Sequence, residues 1–295
     1  MIVVNLKGGL GNQMFQYAFG LALAQKHGVP LKFDLRFLRD PTPRKNLIRR
    51  NYDLDIFSIP ALQATAEDLD RVGLGLGNLV LQRWWLRIYA SIPGQSRVLL
   101  ERRFSFDENN LRVGPDAYLD GYWQSEKYFK TVEELVREQF TIKGAHTGEA
   151  GKLMRRIAGE QSVCVNVRRG DLVNDRRLGA LDAEYFRQAV QELANRIGSD
   201  FNCYIFSDDI EWCRQNLRFT QTQEFVGHEF AGPKFSTYFS LMRACKHFII
   251  PNSTFAWWAA WLAENEQKVV IGPKRWFRDP AVDASDLIPE NWLTV

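Results

Sequence analysis

From residue 162 onward, short apolar runs alternate with helix-length segments, and this alternation limits the possible folds more than any other feature of the chain. Ser162–Arg168, Cys203–Phe206, His247–Ile250 and Lys268–Ile271 read as strands, each too uniformly apolar to keep one face wet. Between them, Asp182 opens a helix that Gly198 closes, and Ile210–Leu217 and Ser236–Cys245 read as helices. Another helix, Ser253–Glu264, follows the third strand. Strands joined through helices pair in parallel, so the expectation is a parallel sheet covered on both faces. The N-terminus follows the same logic. A strand at Ile2–Leu6 meets a glycine-rich turn at Gly8–Gln13, an apolar helix runs to about Lys26, and Gly28 and Pro30 stop it before the strand Leu31–Asp34. Residues 40–120 are less regular, with a helix expected over Leu79–Ala90 and another over 125–140. Gly144–Gly151 is small and polar, the best place for a linker, which gives two α/β domains at 1–150 and 151–295.

Composition removes several classes of function. The 38 Lys and Arg against 35 Asp and Glu leave a formal charge of +3, too little to argue for nucleic acid or a membrane surface. No apolar run approaches a membrane span. The opening Met1-Ile-Val-Val-Asn-Leu-Lys7 enters a strand directly, with no basic n-region or cleavage site, so the expected compartment is the cytoplasm. Cys164, Cys203, Cys213 and Cys245 are scattered without a C-x-x-C pair, which points to buried free thiols and away from zinc. Aromatic residues reach 13%, with nine Trp, enough for a large core with rings left over for a ligand face.

Four segments carry chemistry. Gly8-Gly9-Leu10-Gly11-Asn12-Gln13 fits only the first two glycines of a G-x-G-x-x-G turn and lacks the Lys-Ser/Thr of a phosphate loop. It is either a packing turn or a close backbone approach to a ligand, with Asn12 and Gln13 placed to bind sugar hydroxyls. Asn166-Val-Arg168-Arg169-Gly-Asp171 brings two arginines and an acid to a strand end, where open α/β sheets bind ligands. Strand alternation sends Arg168 and Arg169 to opposite faces, so that one is structural. A guanidinium fork suits a pyrophosphate, and Asp171 is either a general base or a partner for arginine. Ser207-Asp208-Asp209 either caps the next helix or accepts from ribose and base donors. Asn252-Ser253-Thr254-Phe255 opens a helix and offers hydroxyls and amides to an anion, with Trp257, Trp258 and Trp261 as core. Asp53-Leu-Asp55 and Asp68-Leu-Asp70 have the D-x-D spacing of a metal site but follow no apolar strand, so neither metal nor cofactor is expected.

Together these segments resemble the bacterial GDP-fucose α1,2-fucosyltransferases of glycosyltransferase family eleven. The anchors are Gly8–Tyr17, Val167–Asp171, Phe206–Asp209 and Cys245–Trp258, in that order. The resemblance implies a GT-B-type arrangement of two Rossmann-like domains with parallel sheets facing a cleft. It also implies an inverting, metal-independent transfer of fucose from GDP-fucose to O2 of a terminal β-galactoside. The C-terminal domain would hold the donor through Asn166, Arg168, Arg169, Ser207, Asp208, Asp209, Asn252, Ser253, Thr254 and Phe255, with Asn12 and Gln13 of the N-terminal domain on the sugar hydroxyls. Arg168 and Asp171 would be catalytic, with Arg168 on the leaving pyrophosphate. The family's motif begins with His where this chain has Asn166, so no imidazole base carries over. Trp84, Trp85 and Trp123 are the candidates for an acceptor surface. Two rivals stand beside this reading: a nicotinamide-dependent Rossmann oxidoreductase, against which the missing third glycine speaks, and a non-catalytic glycan-binding protein, which would not need the arginines.

Overall fold

The computed structural model describes residues 1–42, 50–60, 62–74, 97–144 and 146–295. The helix expected over Leu79–Ala90, with Trp84 and Trp85, lies outside these residues. The chain divides into two compact units. The first is Met1–Thr141 with Ser285–Leu287, and the second is Ile142–Ala284 with Ile288–Val295. The division therefore falls ahead of the expected linker, because α5 already begins at Gly148.

The first unit contains β1 (Ile2–Asn5), α1 (Leu10–His27), β2 (Leu31–Asp34) and α2 (Arg36–Arg39). It continues with α3 (Ala66–Arg71), β3 (Val98–Leu100), β4 (Ala117–Asp120) and α4 (Glu133–Gln139). Its sheet has the order β2-β1-β4-β3, with every pairing parallel. Central β1 is buried throughout, as a strand with covered faces must be. Helix α1 ends where Gly28 turns left-handed at φ 62° and donates its N–H back to the last turn. Over 125–140 the expected single helix is replaced by two 3-10 turns, Glu126–Tyr128 and Lys130–Val132, before α4 starts. Tyr128 and Phe129, in and just after the first of these turns, are both fully buried. Asp286, from the late segment, accepts from the Phe106 N–H at 2.9 Å and pairs with Lys127 at 2.6 Å.

The second unit runs α5 (Gly148–Gly159), β5 (Ser162–Val167), α6 (Ala183–Ile197), β6 (Asn202–Ser207) and α7 (Ile210–Asn216). Then come β7 (Thr222–Val226), α8 (Ser236–Arg243), β8 (His247–Ile249), α9 (Thr254–Leu262), β9 (Val270–Gly272) and β10 (Leu293–Thr294). The sheet order is β10-β9-β8-β5-β6-β7, again wholly parallel. Numbered within the unit, that is the 3-2-1-4-5-6 order of a Rossmann fold. Val163, Val165 and Val167 of β5 pack against Tyr185, Phe186, Ala189 and Leu193 of α6. Asp182 caps α6 by accepting from the Tyr185 N–H at 3.0 Å. Trp257, Trp258 and Trp261 of α9 are core, with the first and third stacked at 6.1 Å. All four cysteines are free and buried. Among the described residues no helix is long and apolar enough to cross a membrane.

One position shows how tightly α1 sits on its sheet. A Cβ at Gly20 would come 2.5 Å from Val4 Cγ2 and 2.9 Å from Leu31 Cδ1. Gly20→Ala gains about 1 kcal/mol of helix propensity and meets overpacking of about 1–3 kcal/mol. We expect a net loss of stability, read as a lower urea midpoint than wild type.

Candidate functional site

In the second unit the chain leaves β5 toward β6 on one side and later returns as β8 on the other, pairing Val165 with Ile249. The crevice at the carboxyl ends of β5 and β8 is thus a topological switch point, where open α/β sheets bind their ligands. Two of the four sequence segments meet its edges, Arg168–Asp171 after β5 and Asn252–Phe255 after β8.

Alternation along β5 separates the two arginines as the pattern requires. Asn166 lies on the α8 side, where its Nδ2 donates to Phe206 O at 3.2 Å and lies 3.9 Å from Met242 Sδ. Arg168 follows it and is held by two carboxylates, Asp171 and Asp208. Asp208 also accepts the Arg169 N–H at 2.8 Å. A guanidinium has five N–H donors, so these two pairs engage two of them and leave three. Arg169 turns away. Its guanidinium lies 3.9 Å from the Trp212 ring centre, with Nε 3.4 Å from Asp209. Arg169 is therefore the structural member of the pair and braces α7. Gly170 is required by close approach, since a Cβ there would collide with the Asp208 carboxylate.

Several expected donor contacts turn out to be braces. Ser207 is buried, and its Oγ accepts from the Asp209 N–H at 2.9 Å. Asp209 caps α7 by accepting from the Trp212 N–H at 3.1 Å. Asn252 is buried at the foot of α9, with Nδ2 within 3.2 Å of the carbonyls of Leu178, Gly179 and Trp276. Ser253 occupies the N-cap position of α9 but makes no side-chain capping bond. Ser253, Thr254 and Phe255 are half-buried. Phe255 packs its ring 5.1 Å from Phe239.

Sequence reasoning missed the neighbouring edge, past β6 and β7. His228 Nε2 lies 2.8 Å from Ser207 O. The Tyr238 hydroxyl accepts the Ser207 N–H at 3.1 Å and donates to Val226 O at 2.7 Å. Burial pushes the Tyr238 phenol well above its ordinary pKa, so it stays a donor. Between these residues the backbone is strained: Lys234 and Phe235 are left-handed at φ 50° and 61°. Each costs about 1–2 kcal/mol without a glycine. The one signal in the sequence was Gly232-Pro233, which marks a turn but says nothing of the residues after it.

In the first unit the switch point lies between β1 and β4. Lys7 pairs with Asp120 at 2.6 Å and lies 4.8 Å above the Tyr122 ring. Asn5 Nδ2 donates to Asp120 at 3.1 Å. Asn12 accepts from Gln124 Nε2 at 2.8 Å. Gln13 does not reach for a ligand. It is fully buried, donating to Gly8 O and Asn51 O and accepting from the Asp53 N–H at 3.0 Å. Trp123 is no acceptor surface either. It is fully buried against Phe19 at 4.8 Å, with its backbone N–H donated to Glu101 at 2.8 Å. Burial raises the Glu101 pKa, and the two backbone N–H groups of Tyr122 and Trp123 pull it back. Of the D-x-D acids, Asp68 completes a capping box with Thr65 and pairs with Lys32. Among the described residues no His, Cys, Asp or Glu cluster is arranged to hold a metal.

The switch point of this parallel sheet thus sets one arginine between two carboxylates, and comparison with known proteins places the class. Residues 76–295 match the family described as Glycosyl transferase family 11. The alpha-1,2-colitosyltransferase of Escherichia coli is 30% identical over 306 residues, covering 100% of this chain and 99% of that protein. The galactoside 2-alpha-L-fucosyltransferase SEC1 of Bos taurus is 28% identical, covering 89% of this chain and 64% of that protein. A mutant of Arabidopsis thaliana FUT1, solved with GDP, aligns at TM-score 0.48 and 11% identity over 95% of this chain and 72% of that one. The chain is a glycosyltransferase. It belongs to glycosyltransferase family 11.

Because Asp209 caps α7 and carries Arg169, Asp209→Ala is expected to destabilise by about 1 kcal/mol. It leaves both carboxylate partners of Arg168 in place. Thermal unfolding should show the loss, and a midpoint equal to wild type contradicts the cap.

Proposed function

We propose that the chain transfers L-fucose from GDP-fucose to O2 of a terminal β-galactoside in the cytoplasm, with inversion and without a metal ion. The observation that carries this reading is Arg168, fixed by Asp171 and Asp208 at the β5 edge of a family 11 chain. Fucosyl transfer builds an oxocarbenium-like centre while GDP departs with growing negative charge. The three remaining N–H donors of Arg168, with the first amides of α9, answer that charge at the place where it grows. Asp171 and Asp208 hold the guanidinium in one orientation, so no reorganisation is needed when the charge appears. Asp171 acts here as the partner of arginine and not as the base. The acceptor hydroxyl loses its proton late, so a modest base suffices. Asp120, Asn5 and Lys7, beside the Tyr122 ring, are the hydroxyl partners for an acceptor sugar on the first unit.

A second donor has specific support. The colitosyltransferase relative matches along the whole chain, and colitose is fucose without its 3-hydroxyl. The nicotinamide reading keeps the 3-2-1-4-5-6 strand order, but β5 runs into Arg168-Arg169-Gly170 where a dinucleotide fold needs its glycine turn. A purely glycan-binding protein leaves the arginine and its two acids without work.

The test pairs GDP-fucose and GDP-colitose with lactose and a β1,3-galactosyl disaccharide, each with and without EDTA. We expect an α1,2-linked product with GDP-fucose that is insensitive to EDTA. Product with GDP-colitose alone transfers the assignment to the second donor, and loss with EDTA overturns metal independence. Arg168→Lys should lower kcat about 100-fold or more while the protein stays folded, because an ammonium cannot keep both carboxylates and a phosphate in one plane. Near-normal turnover removes Arg168 from the mechanism.

A further inference from the structure

Phe235 is poorly placed for any purely structural purpose. It is 46% exposed, one of the large apolar side chains left at the surface, and its backbone sits at φ 61° directly after Lys234 at φ 50°. Glycine or asparagine is the usual occupant of such positions, and a bulky residue there marks a site where strain is retained for what the side chain touches. The ring forms an edge-to-face trio, 6.1 Å from His228 and 6.1 Å from Tyr238. Tyr238 bolts that trio to the carboxyl ends of β6 and β7 through Ser207 and Val226. Around it, the Phe235 N–H donates to Gly232 O and the Tyr238 N–H to Ala231 O, which hold the left-handed turn.

His228 adds direction to the patch. Its Nε2 faces Ser207 O, and a carbonyl only accepts, so Nε2 carries the proton. In the neutral ring Nδ1 is then an acceptor, and it makes no hydrogen bond among the described residues. The edge is continuous with the arginine site. Ser207, which receives His228, is followed by Asp208, which holds Arg168. In an open parallel sheet ligands bind in the crevice outside the carboxyl ends of the strands, so groups at neighbouring strand ends on one side of the switch point can share one ligand. Here Arg168 follows β5, Ser207 ends the neighbouring β6, and His228 lies two residues beyond β7.

We propose that His228 and Phe235 form the seat for the purine base of the nucleoside diphosphate donor, Phe235 stacking on the ring and His228 Nδ1 accepting a base N–H. This rests on the reading of Arg168 as the phosphate partner. Stacking supplies affinity that any base can use, and the imidazole acceptor adds selectivity for guanine, whose N1–H and 2-amino group both donate on one edge. Adenine presents a bare N1 at the same place.

The test is calorimetric titration of the full chain with GDP, ADP and inorganic pyrophosphate, for wild type, Phe235→Gly and His228→Ala. We expect Phe235→Gly to bind GDP about tenfold more weakly, to bind pyrophosphate within twofold of wild type, and to melt no lower, since glycine suits the left-handed turn. His228→Ala should narrow the preference for GDP over ADP with pyrophosphate unchanged. The seat is overturned if Phe235→Gly keeps its GDP affinity within twofold, or if it loses GDP and pyrophosphate equally. A lower melting point in Phe235→Gly with GDP affinity retained assigns the ring to structure. Wild type that prefers ADP refutes the GDP donor but not the seat, provided Phe235→Gly weakens ADP in turn. Wild type that binds no nucleoside diphosphate and no pyrophosphate refutes both.

Discussion

Strand β5 is buried along its entire length, and that single constraint arranges the second unit. A guanidinium or carboxylate inside such a strand would lose its water with nothing to replace it, at a cost of several kcal/mol. Charged residues in this part of the sequence can therefore appear only after the last buried residue, Val167. They do so at once, as Arg168, Arg169 and Asp171. Because β6 and β8 flank β5 in parallel, their own polar ends reach the same edge. Arg168, Ser207 with Asp208, and Asn252 with Ser253 are thus neighbours by topology, although far apart in the chain.

At that edge one cation is held under restraint. Arg168 sits between two acids, which more than offset its charge and fix its orientation. Such an arrangement favours orientation over raw attraction. A lone arginine would bind any phosphate strongly and hold it loosely in space, whereas a braced fork offers donors in a fixed plane. Arg169, stacked on Trp212, extends the brace into α7. The strain at Lys234 and Phe235 belongs to the same edge, anchored to β6 and β7 by Tyr238.

Much of this was legible in the sequence. Apolar runs separated by helix-length segments specify parallel strands, and alternation alone places Arg168 and Arg169 on opposite faces. The strands at Val98–Leu100 and Ala117–Asp120 lie in the less regular stretch 40–120, where no clean alternation with helices marks them, and Thr222–Val226 is likewise not read as a strand. Thr222–Val226, at the sheet edge, also mixes polar with apolar residues. The polar residues were harder still. Gln13, Asn252 and Trp123 have the composition of ligand contacts, yet all three are buried as braces or core.

By itself the sequence determined the class of fold, the family, and the strand end at which an arginine and an acid meet. The fold and the strand end depend on local patterning, on periods of two and 3.6 residues, and the family on the resemblance carried by four short motifs in order. Only the tertiary structure decided which polar side chains remain for a ligand and which are consumed in holding the turn. Asp208 lies 40 residues from the arginine it holds, and Asn51 lies 38 from the glutamine it binds. Such partners are assigned by the crossovers of a parallel sheet, which bring distant strand ends together and leave no trace in the spacing of the chain.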